Sequence, residues 1–396
     1  MSRETVRAAW WSFILQSPLW ALVNGMLPFV LFHSMGASPF QLALFTALRP
    51  MTGLLAPLWP PFGAQSAHHL RLNTACASAC ASLAILLALM VGGIAAWLVG
   101  AAFYLIFLRG RQVSVAEIVR CDLNETDRLR LLSRQNAVGH ILSALVPLLA
   151  GMVLDANPES WDGMMLCGVL LTGLAAWMQW KLFPSHPRAP SAHSLRSWFT
   201  EWRGVAHDRR FVYYLLGFMA TGSGLMVLAP MLPSLFMDQW HLTYTQVGWA
   251  VSGCKAIGFL SSTQGWVAIH RRIPLPLMNA MISLLASLFP LLLLGSQSLF
   301  WVGIAYVFYG LMQAGSELSW HNSPIHYAEG HSAVPYAASS QLMVGLRGLL
   351  VPALGSSILA FCGGRSVLWT GIAFTLLGSA WFVRSFFLER RRAVQA

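Results

Sequence analysis

Apolar residues along this chain gather in runs of about 20, each bounded by turn residues or charge. That is the length an α-helix needs to cross the hydrocarbon of a bilayer. Twelve such runs fall at about 10–33, 39–62, 72–92, 94–118, 134–154, 162–183, 211–236, 244–265, 275–294, 299–321, 336–361 and 366–387. Six precede residue 184 and six follow residue 210. The pattern predicts an all-α membrane protein of twelve transmembrane helices. An N-terminal six-helix bundle spans 1–183, and a C-terminal six-helix bundle spans 211–396. The Pro-, Ser- and Arg-rich stretch 184–210 reads as a cytoplasmic linker, with a short interfacial helix around Trp198 and Trp202.

Composition narrows the class. The chain has 396 residues, 56% hydrophobic and 10% charged, against roughly 25% charged in soluble domains. This excludes a disordered chain, a soluble nucleic-acid-binding domain and a disulfide scaffold. The six cysteines show no CxxC spacing and read as packing residues. The first apolar run is too long for the core of a cleaved signal peptide.

The net charge of +11 gains its meaning from placement. With the N-terminus in the cytoplasm, 19 of the 25 Lys and Arg residues fall in inside segments and only Arg365 in an outside loop. The positive-inside rule therefore places both termini in the cytoplasm, with the chain in the inner membrane. The basic charge faces the lipid headgroups, so nucleic acid is not an expected partner.

The two halves can be laid over each other at a shift near 205 residues: Pro28 meets Pro233, Gln41 meets Gln246, Gly53 meets Gly258, and Val146-Pro147 meets Val351-Pro352. An even number of spans per half gives both halves the same orientation, which is a parallel repeat. Six plus six spans, a central linker and parallel halves resemble the major facilitator superfamily of secondary transporters. The resemblance covers essentially the whole chain, while its local motifs are worn. The loop motif after span two keeps Gly63 and Arg71 but has Ala67 at the Asp position. The exporter motif of span four survives as Arg109-Gly-Arg111-Gln112, and the antiporter motif of span five as Pro147-Leu-Leu-Ala150-Gly151. The resemblance implies alternating access around a midplane site. Spans one, four, seven and ten would line the cavity, flanked by two, five, eight and eleven.

Ionisable side chains inside spans cost roughly 2.5–3.5 kcal/mol each on insertion scales, so each should face protein or water. They occur on spans two (Arg49), four (Arg109, Arg111, Glu117), five (His140), eight (Lys255), ten (Glu317, His321) and eleven (Arg347). At about 1.5 Å rise per residue, Arg49, Lys255 and Arg347 all reach the midplane. Arg109 lies deeper, toward the cytoplasm. These four cations are the candidate binding groups for an anionic solute, since guanidinium suits carboxylate or phosphate. Bonds to backbone carbonyls at helix breaks are the competing role. Asn24 on span one, and Trp249 and Trp320 beside Lys255 and Glu317, are further candidate contacts. Glu317, His321 and His140 are the candidates for proton coupling or gating. Two ligand-type residues one turn apart are too few for a metal, and no cofactor is expected.

The sequence thus reads as a monomeric secondary transporter for a small anionic or zwitterionic organic solute, coupled to protons, with direction open. The partners expected are the solute, protons and the lipid bilayer. The competing classes are a non-transporting receptor or assembly factor on the same fold and a membrane enzyme.

Overall fold

The computed structural model describes residues 3–54, 67–122, 125–181, 205, 207–295, 298–328 and 334–395. Among them there is helix and turn but no strand. A backbone in hydrocarbon must satisfy its own hydrogen bonds, and a helix does so within one segment. Nine helices among the described residues are long and apolar enough to cross a membrane, matching spans one, three to six and nine to twelve.

The structure divides into two compact units. The first holds Met1–Ala37, Met51–Ala192 and Thr243–Gly248; the second holds Ser38–Pro50, His193–Leu242 and Trp249–Ala396. In the first unit, α1 (Arg3–Ala21) is followed by a π-turn at Leu22–Met26 and by α2 (Leu27–His33). α3 (Pro39–Met51) lies almost wholly in the second unit. The first unit continues with α4 (Ala67–Val91), α5 (Gly93–Asp122), α6 (Glu125–Ala156) and α7 (Ser160–Gln179). The second unit contains α8 (Arg209–Met226). α9 (Tyr244–Gly248) packs with the first unit, on α6. α10 (Lys255–His270), α11 (Leu275–Gly295), α12 (Leu299–Ala328), α13 (Val334–Cys362) and α14 (Gly364–Gln395) complete the second.

Spans two, seven and eight are the ones that do not appear as single long helices, and the sequence explains the break in span seven. Span seven was expected to run unbroken to residue 236. Instead α8 stops at Met226, and residues 227–231 form turns before a π-helix at Ser234–Gln239. Pro230 lacks an N–H to bond the carbonyl of Met226, and Pro233 follows within a turn. Span one carries a π-turn just before a proline as well. Pro28 follows the π-turn that contains Asn24, whose carbonyl its missing N–H would have met. Span eight is split by a π-helix at Trp249–Cys254, immediately before Lys255. Beyond Leu54, the remainder of span two lies outside the described residues.

The packing of each unit repeats the other. In the first, α1 packs on α6 and α7, and α4 on α5 and α7. In the second, α8 packs on α13 and α14, and α11 on α12 and α14. These are equivalent positions in the repeat, so the two halves share one helix arrangement although few identities survive. Aromatics fill the second unit's interior, where Phe211, Tyr214, Tyr327 and Phe382 are buried together. Tyr214 and Tyr327 lie 5.2 Å apart between ring centroids.

Candidate functional site

In the second unit, α12 presents Tyr309, Gln313 and Glu317 at intervals of four residues, which places them on one helix face. Two glycines set how close α10 comes to that face. A side chain on Gly258 would collide with the Val307 carbonyl, and one on Gly310 with the Lys255 carbonyl. The two backbones therefore touch, as small residues allow in membranes. The Lys255 ammonium consequently sits over the Tyr309 ring, 5.1 Å from its centroid. Such a cation–π contact holds a charge without neutralising it.

α3 and α13 bring two more cations. Pro50 packs against Gly348, where a side chain would strike the proline ring. Arg49 and Arg347 are the residues just before these two. Arg49 is exposed, in the last turn of α3. It lies within electrostatic reach of Tyr309, Lys255 and Glu317. Tyr309 also feels Arg347. Glu317 accepts a hydrogen bond from Gln313 Nε2 at 3.1 Å. Tyr309 thus carries the Lys255 contact and lies within electrostatic reach of Arg49, Arg347 and Glu317.

Arg347 differs from the other two. It is buried, donating from Nη1 to the Phe218 carbonyl at 3.0 Å. Its guanidinium lies over the Phe218 ring at 5.2 Å, in space that only a glycine at 222 leaves open. Phe218 in turn stacks on Trp320 at 4.9 Å. The carbonyl-bonded role weighed for these cations therefore fits Arg347, while Arg49 is exposed and Lys255 only half-buried.

The first unit holds a cavity of about 210 Å³, lined by residues that include Phe13, Trp20, Tyr104, Arg111 and His140. Arg111 lines it, whereas Arg109 is half-buried on α5 outside that lining. Two residues turn an α-helix by about 200°, so the two guanidinium groups leave the helix on opposite sides.

The structure distributes the sequence candidates unevenly. Arg49, Lys255, Arg347, Glu317 and, through Phe218, Trp320 come together. His140 lines the cavity of the first unit. Asn24 donates from Nδ2 to the Trp20 carbonyl on its own helix at 2.9 Å. Trp249 is exposed, with its ring folded over Gly253. The His321 and Glu117 side chains and the Gly63–Ser66 part of the loop motif lie outside the described residues. Tyr309 and Tyr104 were not singled out by the sequence, because tyrosines in an apolar helix carry no formal charge to mark them. A spacing of four from Gln313 and eight from Glu317 was the available signal for Tyr309.

Repeated helix bundles with ionisable groups held inside apolar spans define a multi-pass membrane protein built for solute passage. Residues 9–340 match the model of the Major Facilitator Superfamily, and the chain belongs to that family. A crystal structure of the nucleoside transporter NupG is similar with a TM-score of 0.74 at 11% identity, covering 97% of this chain and 99% of that one. The peptide transporter POT, solved in complex with sulfate, gives 0.72 at 12% identity over 98% and 94%. A POT family transporter in complex with a thioalcohol-conjugated peptide gives 0.74 at 10% identity over 96% of each chain. At these identities the likeness shows the fold alone. No curated protein sequence matches significantly.

Proposed function

We propose that this chain is a proton-coupled secondary carrier of a small anionic or zwitterionic organic solute. It works by alternating access as a monomer in the inner membrane, with both termini in the cytoplasm and no cofactor. The halves 1–183 and 211–396 are the moving bodies in this reading, joined by 184–210. The observation that supports it is the meeting of Arg49, Lys255 and Glu317 around Tyr309. Arg49 and Lys255 hold the solute's anionic group, and Arg347, tied to Phe218, positions the aromatic wall.

Coupling follows from competition. While Glu317 is ionised, it answers the charge of Arg49 and Lys255. When it takes a proton, the two cations lose that partner and receive the solute anion instead. The groups facing Glu317 in this scheme are Arg49 from α3, Lys255 from α10, and Tyr309 and Gln313 from its own helix. Proton and anion are therefore bound in the same state.

The test starts with purified protein and a thermal-shift screen of organic anions, followed by counterflow of any hit in proteoliposomes. Arg49→Gln and Lys255→Gln should each lower hit affinity at least about tenfold, a loss of ~1.4 kcal/mol. Equal stabilisation of wild type and both variants by the hit would refute the assignment.

A further inference from the structure

Spans three and six, α4 and α7, pack on each other in the first unit. The ends that the inside bias of Lys and Arg assigns to the cytoplasm carry a cluster of cations and indoles. Trp177 and Trp180 stand three residues apart, on one face at the end of α7. Each has a cation against its ring. The Arg71 guanidinium lies 4.4 Å from the Trp180 ring centroid, and the Lys181 ammonium 4.3 Å from that of Trp177. Contacts of this kind hold a charge without neutralising it. Arg71 reaches across from α4, and its Nε donates to the Trp180 carbonyl, at the helix end where carbonyls lack intrahelical partners. A long cationic side chain at a membrane interface ordinarily extends along its own helix toward water. Arg71 is instead turned sideways onto its neighbour, which fixes its charge at the seam.

Both indoles and Lys181 are exposed. From there the two helices turn an apolar face outward, with Leu170 and Leu174 exposed on α7 and Leu83 and Leu87 on α4. In a helix that crosses a bilayer, such a face meets acyl chains. The charge is equally one-sided. α4 contains no acidic residue. On α7 the acid is Asp162, with Glu159 at its N-cap. Asp162 stands about 27 Å from Trp180 along the helix, at roughly 1.5 Å rise per residue. Leucines leading to two tryptophans and then to two cations follow the order of a phospholipid: acyl chain, ester region, phosphate.

We propose that the seam between α4 and α7 is a binding site for one anionic phospholipid. Its phosphate lies between Arg71 and Lys181, its ester region against Trp177 and Trp180, and its acyl chains along Leu83, Leu170 and Leu174. The proposal rests on the chain being a membrane protein and not on the transport reading, because its readout is lipid retention.

The test is native mass spectrometry of the full chain released from detergent micelles that contain dioleoyl phosphatidylglycerol or dioleoyl phosphatidylcholine. One phosphatidylglycerol should be retained at least about fivefold more tightly than phosphatidylcholine, the factor one cation supplies at a membrane surface. Lys181→Gln and Arg71→Gln should each lower that affinity by a similar factor. Arg272→Gln removes an exposed charge from the second unit and should change it by less than about twofold. Lys181 is exposed, so its replacement reports on lipid even where loss of the Arg71 bond weakens the fold. Millimolar inorganic phosphate should leave the lipid in place, because the acyl chains contribute to binding. Four results would overturn the proposal: no preference for phosphatidylglycerol in the wild type; unchanged retention in Lys181→Gln or Arg71→Gln; an equal loss in Arg272→Gln, which would assign the preference to overall basic charge; or displacement by inorganic phosphate, which would make this a site for soluble anions.

Discussion

The two units carry the same helix arrangement and surround the cations of their apolar spans differently. In the second, Arg49 and Lys255 share one carboxylate, Glu317, and one aromatic hub, Tyr309. In the first, Arg111 lines a cavity and lies within electrostatic reach of the Tyr104 phenol. Charge inside a membrane protein is tolerated when a partner or a wet chamber receives it. The second unit supplies a carboxylate, Glu317, within electrostatic reach of Arg49 and Lys255. The first sets its arginine among aromatic side chains. A repeat therefore conserves how helices pack while leaving each copy free to set its own electrostatic balance.

The sharpest way to break this contrast is to remove the internal partner. Glu317→Gln should reduce proton-driven accumulation in vesicles at least about tenfold and flatten the pH dependence of anion affinity at the Tyr309 cluster. A variant with wild-type accumulation would show that Glu317 is not the coupling group.

Next in size is the close contact that seats Lys255. Gly310→Ala forces a methyl group into the Lys255 carbonyl, and overpacking of this kind costs about 3 kcal/mol. The matching change in the first unit, Gly100→Ala, meets the Ala88 side chain at 2.6 Å and the Ala84 carbonyl at 2.8 Å. It should cost less, about 1–2 kcal/mol, and leave the cationic cluster untouched. Thermal unfolding in detergent compares the two, and a reversed order would mean that α10 and α12 separate more easily than their backbone contact implies.

Arg347→Met removes the bond to the Phe218 carbonyl and should cost roughly 1.5–3 kcal/mol of stability, most of which Arg347→Lys restores. Anion affinity should change less than in Arg49→Gln. If the affinity losses are equal, Arg347 contacts the solute directly.

The smallest effect is expected at Asp155. Its two carboxylate oxygens accept from the backbone N–H groups of Tyr244 and Thr245, each at 2.8 Å. This ties α9 to α6, where Gly248 and Gly151 allow backbone contact. Asp155→Asn keeps one acceptor and should cost about 1 kcal/mol. Cysteine cross-linking between positions 152 and 245 should become less efficient in the variant; unchanged efficiency would show that the glycine contacts alone hold α9.

Much of the architecture was legible from runs of apolar residues. Leu275–Gly295 and Gly364–Gln395 declare themselves as spans because about 20 apolar positions leave few alternatives. The breaks were less legible. Pro230 and Pro233 were visible, but their combined effect, ending α8 at Met226, depends on which carbonyls they orphan. Among site residues, depth was readable and direction was not. Counting placed Arg49, Lys255 and Arg347 at one level, and Tyr309 lies over Lys255 and within electrostatic reach of both arginines. Counting also favoured Arg109 over Arg111, and the cavity takes Arg111.

Hydropathy and the inside bias of Lys and Arg are sums over many residues, so single errors cancel and the class, the span number and the family emerge from composition along the chain. The azimuth of one side chain is not a sum. One extra residue in a π-turn, such as Trp249–Cys254 just ahead of Lys255, rotates everything beyond it by about 100°. Which carboxylate a cation meets, and whether it meets one, was settled by helix contacts like those at Gly258, Gly310 and Gly348, because electrostatic partners are chosen over a few ångströms that no linear pattern records.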